Sequence, residues 1–221
     1  MTAAERVARV VAGVVRQALT DAGARTLILL DDGSPEANLA RQWCTEAVGA
    51  DAVVSARGDL LPAELAATVR TRRELAKLAP EDQADEFRRL EARLLGEAGR
   101  SALVANPVNK TALLLAPAPL PEPLLPLGDL YATDVTELAG GWSAPAPVHT
   151  LADLAGGIEA LDGALRAHFD ERRPLRDVLG RLPENARVPL ARAVAAARFA
   201  RRRVGVIPKL GPRTLGIDLS A

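Results

Sequence analysis

The sequence predicts one α/β domain in which a parallel sheet lies between layers of helices, a three-layer, doubly wound arrangement. Short apolar runs alternate along the chain with longer segments in which apolar residues recur at helical spacing. That alternation favours right-handed crossovers, and such crossovers connect parallel strands. The 221 residues, of which 48% are hydrophobic, suffice for one substantial core, and we find no internal repeat and no second domain over residues 1–221.

The first three elements follow from local signals near the start of the chain. Residues 4–20 carry apolar residues at helical spacing, and residues 25–30 form a short apolar run typical of a strand buried on both faces. Ser34 is predicted to cap the next helix and Pro35 to occupy its first position, with the helix ending near residue 48. The predicted inward positions of the first helix are Val7, Val10, Val11, Val14 and Leu19.

The following segments complete the predicted sheet. Residues 51–56 and 101–105 predict two further strands, and Pro107 lies just past the point where the second of them stops. Between these strands, helices are predicted over residues 62–78 and 81–98. These strands lie in the first half of the chain, and residues 204–207 near its end are interpreted as either a further short strand or an extended arm.

The second half of the chain is predicted to be mostly helical. Residues 117–126 are rich in proline and therefore predict an extended loop. Asp129 is expected to cap a helix over residues 130–139, and further helices are predicted over residues 157–169 and 184–201. In the last helix the predicted inward residues are Val188, Ala191, Val194 and Phe199.

Composition and charge exclude several classes of function. Lysine plus arginine and aspartate plus glutamate number 28 each, so the net charge is zero and no global field favours nucleic acid or anionic lipid. No apolar stretch is long enough to span a bilayer, and the start lacks a secretory pattern, so we expect a cytoplasmic protein. One cysteine, Cys44, and two distant histidines, His149 and His168, offer no internal disulfide and no cysteine- or histidine-based metal centre.

The first candidate site is the loop after the first predicted strand, because ligands of open parallel sheets bind beyond the carboxyl ends of the strands. This loop offers Gly33 and Ser34 to a phosphate, but Asp31 and Asp32 precede them. Two carboxylates repel a polyphosphate unless a divalent metal lies between them. The loop is therefore either an ordinary capped turn or a metal-bridged nucleotide site with Asp31 and Asp32 as ligands.

The second candidate site follows the third predicted strand. Asn109, Lys110 and Thr111 carry an amide, an ammonium and a hydroxyl group, which suit contacts with a ligand. The alternative interpretation is a helix start with a solvated lysine.

Four segments resemble, in the same order, those of the ammonia-dependent NAD synthetases, which belong to the adenine nucleotide α-hydrolase-like (PP-loop) superfamily. They are DEFRRLEARLLGEA (85–98), NKTALLLA (109–116), PLGDLYATDVTELA (126–139) and ARFARRRVGVIPKLGPRTLGID (197–218). The resemblance implies a Rossmann-like fold and a homodimer. The reaction that it implies is the ATP- and magnesium-dependent amidation of deamido-NAD to NAD.

The resemblance also assigns residues at the first candidate site, and several of the family's groups are replaced there. The family's pyrophosphate loop S-G-G-x-D-S falls on residues 31–36, where the second glycine is retained as Gly33 and the magnesium-binding aspartate is replaced by Pro35. The resemblance gives Gly33 and Ser34 to the nucleotide. It gives the dinucleotide substrate three basic residues, Arg88, Arg201 and Lys209.

The family's second phosphate segment, T-G-N-K-S-E, falls on residues 107–112. Asn109, Lys110 and Thr111 match it and are assigned by resemblance to the nucleotide, whereas Ala112 replaces a metal-binding glutamate. The lysine of the family's L-Y-K-T segment is replaced by Ala132.

From these replacements we expect an NAD synthetase-like protein with lost or strongly altered activity, no catalytic residue and no resident cofactor. ATP and magnesium would be used if the family activity survives. One alternative is an active amide ligase with a rebuilt metal site at Asp31 and Asp32. Another is a structural subunit that pairs with a complete paralogue.

Overall fold

A computed structural model describes residues 2–58, 80–97, 101–115, 122–198 and 205–211. The helix predicted over residues 62–78 lies outside them, as do Phe199, Arg201 and residues 117–121 of the proline-rich stretch.

Strands lie in the first half of the described chain and helices occur throughout it. The strands are β1 (Thr26–Leu30), β2 (Val53–Ala56) and β3 (Ala102–Ala105). The helices are α1 (Ala3–Asp21), α2 (Pro35–Val48), α3 (Pro80–Glu97), α4 (Lys110–Leu115), α5 (Ala132–Ala139), α6 (Ala146–Ala155), α7 (Ile158–Leu165), α8 (Leu175–Leu179) and α9 (Glu184–Ala196). A 3-10 turn (Ala50–Ala52) precedes β2, and a π-helical turn (Arg166–Asp170) follows α7.

The sheet is parallel, with the order β2-β1-β3. The central strand β1 is buried along its whole length. Leu27 and Leu29 face the layer that contains α1 and α2, whereas Ile28 and Leu30 pack with Ala92 of α3 on the other face. Because side chains alternate across a strand, two apolar faces require cover on both sides. The predicted three-layer α/β fold is confirmed.

The start of α2 is set by local chemistry, as the sequence predicts. The Ser34 hydroxyl accepts a hydrogen bond from the Ala37 amide at 3.1 Å, and Pro35 occupies the first turn. Gly49 ends the helix with a positive φ of 88°, which glycine adopts without steric cost. Cys44 is buried on this helix, and burial raises the pKa of its thiol to about 12, so it is a packing residue.

Beyond β3, the chain builds a separate helical layer around a second apolar core. Single parallel bridges place Leu124 beside Ala105 and Val206 beside Leu124, so the chain extends the sheet edge there. The helical core includes Leu114, Leu161, Leu165, Phe169 and Leu190. No helix within the described residues is long and apolar enough to cross a membrane.

The cap expected of Asp129 is wrong. The helix after it begins at Ala132, and the Asp134 carboxylate accepts the Tyr131 amide at 2.8 Å. The Asp129 carboxylate instead accepts the amides of Leu210 and Gly211. A buried aspartate beside distant backbone amides gains more from a tertiary contact than from a local cap.

Two predicted inward positions are also wrong. Val10 is 42% exposed, and α1 instead buries Val11, Val15, Ala18 and Leu19. Val188 of α9 is 58% exposed, while that helix buries Ala186, Leu190 and Val194. Both helices carry small apolar residues on several faces, so their periodicity fits more than one stripe and tertiary packing decides which is buried.

Candidate functional site

A cleft of about 310 Å³ opens beyond the carboxyl ends of β1 and β3. The chain leaves β1 towards β2 on one side, and β3 lies on the other side. This is the switch point of an open parallel sheet, where the two crossovers diverge and leave a crevice. Its walls come from the loop and first turn of α2, from α3, from the segment between β3 and α4, and from the connection between α5 and α6.

The cleft is lined by both charged and apolar groups. Asp32, Glu36 and Asp85 contribute carboxylates, and Arg88 and Arg89 contribute guanidinium groups. The remaining lining residues are Ser34, Asn106, Pro107, Val108, Asn109, Ala112, Ser143, Ala144 and Pro145.

Backbone amides of the loop after β1 donate hydrogen bonds to carboxylates of the same loop. The Asp31 carboxylate accepts the Gly33 amide at 3.0 Å, and the Asp32 carboxylate accepts the Ser34 amide at 3.0 Å. The Ser34 hydroxyl is used to cap α2. A phosphate-binding loop needs these amides for its ligand, so the two aspartates occupy the donors that an anion would use.

Asp31 is held inside the protein by two arginines. Its second oxygen lies 2.9 Å from Arg41 Nη1 and 3.3 Å from Arg57 Nε, and its side chain has no exposed surface. Burial alone raises the pKa of Asp31, but hydrogen bonds from Ser55 and Gly33 and the charge of Arg41 outweigh it. The pKa of Asp31 therefore lies below its ordinary value of 3.8, and the residue is an ionised structural anchor.

Glu36 is one of the cleft residues that sequence reasoning missed. It is 4% exposed, and its Oε1 accepts hydrogen bonds from the Asn109 amide group at 2.9 Å and the Ser143 backbone amide at 2.8 Å. Its Oε2 is buried and has no hydrogen-bond partner among the described residues. A glutamate in a first helical turn is usually solvated, so the sequence carries no local signal for this arrangement.

The pKa of Glu36 is shifted in the direction opposite to that of Asp31. Burial raises it, and the charge of Asp32 adds to the increase. The backbone amides of Ser143 and of Glu36 itself and the side-chain amide of Asn109 oppose the increase in part. The pKa of Glu36 thus lies above its ordinary value of 4.5, because burial outweighs the hydrogen bonds that the carboxylate accepts.

The second predicted segment is anchored in the interior. The Lys110 side chain is buried, and its ammonium lies 3.1 Å from Asp129 and 3.0 Å from Asp170. The Thr111 hydroxyl donates to Asp162 at 2.5 Å. The helix start at Lys110 is confirmed, but the solvated lysine is wrong, because two carboxylates compensate its burial.

The structure therefore brings part of the predicted nucleotide set to the cleft. Ser34 and Asn109 line it, whereas Lys110 and Thr111 bond to carboxylates of the helical layer. Gly33 is not among the residues that line this cleft and instead borders a different surface pocket.

Of the residues predicted to bind the dinucleotide, Arg88 lies at the cleft. Its side chain is 15% exposed, and it lies 3.4 Å from Asp85. Lys209 is exposed and does not line this cleft. Arg201 lies outside the described residues.

Magnesium does not fit the ligands that the described cleft presents. Pro35 has no ligand atom, and Asp31 is neutralised by two arginines. No group of three or more His, Cys, Asp or Glu side chains suited to a metal ion occurs within the described residues. Magnesium prefers several oxygen ligands in octahedral geometry, and this cleft does not assemble them.

The fold and the cleft together define a Rossmann-like α/β protein with a ligand crevice at the strand switch point. No family model matches the chain. Over 133 residues it is 32% identical to the NH(3)-dependent NAD(+) synthetase of Pelodictyon phaeoclathratiforme, a match that covers 52% of this chain. The match spans 48% of that relative, about half its length. The resemblance to NAD synthetases is thereby confirmed.

Among solved structures, the chain is similar to the glutamine-dependent NAD+ synthetase of Acinetobacter baumannii in complex with ADP. The two share 15% identity with a TM-score of 0.48, over the whole of this chain and 51% of the other. A likeness at this level says nothing about activity.

Proposed function

We propose that this chain is an NAD synthetase-like protein that has lost the ATP-dependent amidation of deamido-NAD and serves as a ligand-binding or partner-regulating module. One observation carries the proposal. The amides of Gly33 and Ser34 are bonded to the chain's own Asp31 and Asp32 carboxylates. An incoming pyrophosphate would have to displace two internal hydrogen bonds and then face the carboxylates that made them.

The charge of the cleft supports the same conclusion. Asp32 and Glu36 both line it, and a polyphosphate placed there meets two acidic side chains. Like charges about 4 Å apart repel by about 4 kcal/mol at the effective dielectric of a protein surface. Arg88 and Arg89 offset this only in part, because both also pair with Asp85.

The replaced residues remove the groups that stabilise the reaction. Pro35 and Ala112 stand where the resembled family has metal-binding carboxylates, and Ala132 stands where it has a lysine. Loss of a single electrostatic stabiliser at an active site reduces the rate by about 100- to 1,000-fold. Loss of three such groups leaves almost no turnover, even where their effects are not additive.

An activity assay tests the proposal directly. The full chain is incubated with deamido-NAD, ATP, magnesium and ammonia, and NAD is measured against a control without protein. The Pelodictyon NAD synthetase provides the positive control under the same conditions. We expect no NAD above the control, and turnover above it would overturn the proposal.

A second candidate is an active amide ligase with a metal site rebuilt from Asp31 and Asp32. The position of Asp32 in the cleft, next to the end of β1, favours it. Calorimetric titration with ATP and magnesium, with and without Asp32→Ala, separates the two candidates, because Asp32 lines the cleft whereas Asp31 is a buried anchor. Binding of ATP that the substitution abolishes supports the ligase.

The homodimer and the pairing with a complete paralogue stay predictions about partners. Co-purification with the paralogue, followed by measurement of the mass of the complex, tests both. A monomer that recovers no paralogue would contradict them.

A further inference from the structure

The cleft contains one buried acceptor that the protein leaves unused. Glu36 is 4% exposed, and among the described residues no donor reaches its Oε2. The two donors that hold Oε1, from Asn109 and Ser143, belong to residues that themselves line the cleft. The carboxylate is therefore fixed in the cleft wall, with one oxygen oriented and the other unpaired.

An unpaired buried acceptor is costly, so its retention calls for an explanation. Leaving such a group unsatisfied costs about 1–3 kcal/mol, and more when the group is charged. The pKa of Glu36, which burial raises above 4.5, reflects that cost. A donor supplied from within the cleft removes the cost, since it completes the hydrogen bonding of the carboxylate.

We propose that this cleft binds a small organic molecule through a hydrogen-bond-donating nitrogen group, an amine, amidine or amide, that pairs with Glu36 Oε2. The proposal rests on the proposed function, because both require a cleft that does not hold a triphosphate. The proposed ligand differs from a polyphosphate in that it presents a hydrogen-bond donor, and not acceptor oxygens, to Glu36.

The size and lining of the cleft favour an organic molecule over a bare ion. Its volume of about 310 Å³ lies at the lower end of the range of about 300–1,000 Å³ typical of small-molecule sites. Pro107, Val108, Ala112 and Ala144 contribute apolar surface to the same cleft. A flat ring or short aliphatic body fits such walls, and its nitrogen group meets Glu36.

The remaining charged groups agree with a donor ligand. Asp32 lines the same cleft and adds a second negative charge near Glu36. Arg89 is tied to Glu122 at 2.6 Å, so its charge is largely compensated. Arg88 also lines the cleft and has a longer contact, at 3.4 Å from Asp85, so it remains suited to an acceptor group of the ligand.

Three probes of one shape test the polarity of the site. Benzamidine is a cationic donor, benzamide is a neutral donor, and benzoate carries acceptors alone. Each is titrated into the full chain and followed by calorimetry and ligand-observed NMR. We expect benzamidine and benzamide to bind with dissociation constants on the order of 1 mM, which is reasonable for ligands of this size. Benzoate is expected to bind at least about tenfold more weakly.

Substitutions localise the binding. Glu36→Gln keeps an acceptor for Asn109 and Ser143 but puts an NH₂ donor where Oε2 stood, and we expect it to weaken benzamidine binding by about tenfold or more. Glu46→Gln removes the same charge from an exposed position of the same helix and serves as the matched control. Ala144→Leu narrows the cleft without altering Glu36 and is expected to weaken all three probes.

Three results would overturn the proposal: donor probes that do not bind the unmodified chain, benzoate that binds as well as benzamidine, or Glu36→Gln that binds benzamidine unchanged. Circular dichroism verifies that Glu36→Gln is folded. If Glu36→Gln does not fold, Ala144→Leu still tests whether the probes bind in the cleft, because it narrows the cleft and should weaken their binding. Formation of NAD in the activity assay would refute the proposed function and, with it, this inference. Donor probes that fail to bind a chain without NAD-forming activity would refute this inference alone.

Discussion

Buried carboxylates occur in two regions of this protein, and the regions differ in how completely the carboxylates are paired. In the helical layer, Asp162 receives donors on both oxygens, from the Thr111 hydroxyl at 2.5 Å and the Thr133 amide at 2.8 Å. Asp170 likewise receives Lys110 on one oxygen and the Tyr131 hydroxyl on the other. At the cleft, Glu36 receives donors on one oxygen, and no donor reaches the other among the described residues.

Under the inference proposed above, the difference separates groups that maintain the architecture from a group that pairs with a ligand. A buried charge that is fully paired holds its elements in one arrangement, and removal of a partner is then strongly destabilising. A partly paired group reduces stability and is retained where it has another use, as at binding sites. Stability measurements therefore distinguish the two regions even before any ligand is identified.

The largest effect is expected from Lys110→Met. The substitution leaves Asp129 and Asp170 in the interior without their shared cation. We expect the free energy of unfolding to fall by about 3–5 kcal/mol, the usual cost of an uncompensated buried charge. Urea denaturation at pH 7 measures it, with Arg176→Met, whose side chain is 88% exposed, as the control. A loss below 1 kcal/mol would show that the network is not structural.

A smaller loss is expected from Asp31→Asn, which keeps the shape of the anchor but removes its charge. At pH 7 the loss should be about 1.5–3 kcal/mol, the range for hydrogen bonds to a charged group. Because the pKa of Asp31 is lowered in the fold, its stabilisation is complete above the ordinary value of 3.8 and fades as the pH falls through the lowered pKa. Denaturation from pH 7 to pH 2 should thus show the variant and the unmodified chain converging in acid. A loss that does not change with pH would contradict the ionic role.

Glu36→Gln is expected to raise the free energy of unfolding at pH 7 by about 1 kcal/mol. The pKa of Glu36 is raised in the fold, so the unmodified chain is favoured below 4.5 and loses stability as the pH rises through the raised pKa. Glutamine does not ionise and avoids that loss, so the variant should be more stable at pH 7 and equal in acid. Denaturation at both pH values checks this, with Glu46→Gln as the control. A variant that is less stable at pH 7 would mean that Oε2 is already satisfied.

The parts of the fold that the sequence predicts correctly depend on signals within a few residues. An apolar run, a serine cap and a proline lie next to one another at the end of β1 and the start of α2, and both elements appear where predicted. The stripe of α9 shows the limit of such signals. Its alanine-rich sequence fits several faces, and contact with the helical layer selects Ala186, Leu190 and Val194.

The candidate site is less predictable, because its key contacts join residues far apart in the chain. Glu36 meets Asn109 and Ser143, which are 73 and 107 positions away. Lys110 meets Asp170, 60 positions away, which converts an expected ligand group into an internal anchor. Residue types and spacing place these groups near strand ends, but they do not predict which carboxylate oxygen accepts a hydrogen bond.

By itself the sequence determined the α/β class, the first strand and the capped helix after it, and the acidic character of the loop between them. These follow from periodicity and capping, which act over one or two turns of chain. The tertiary structure decided that Asp31 is neutralised by arginines, that Lys110 is buried, and that Glu36 keeps one oxygen free of the described chain. The reason is physical: whether a polar group is satisfied depends on the donors that folding brings to it from distant segments.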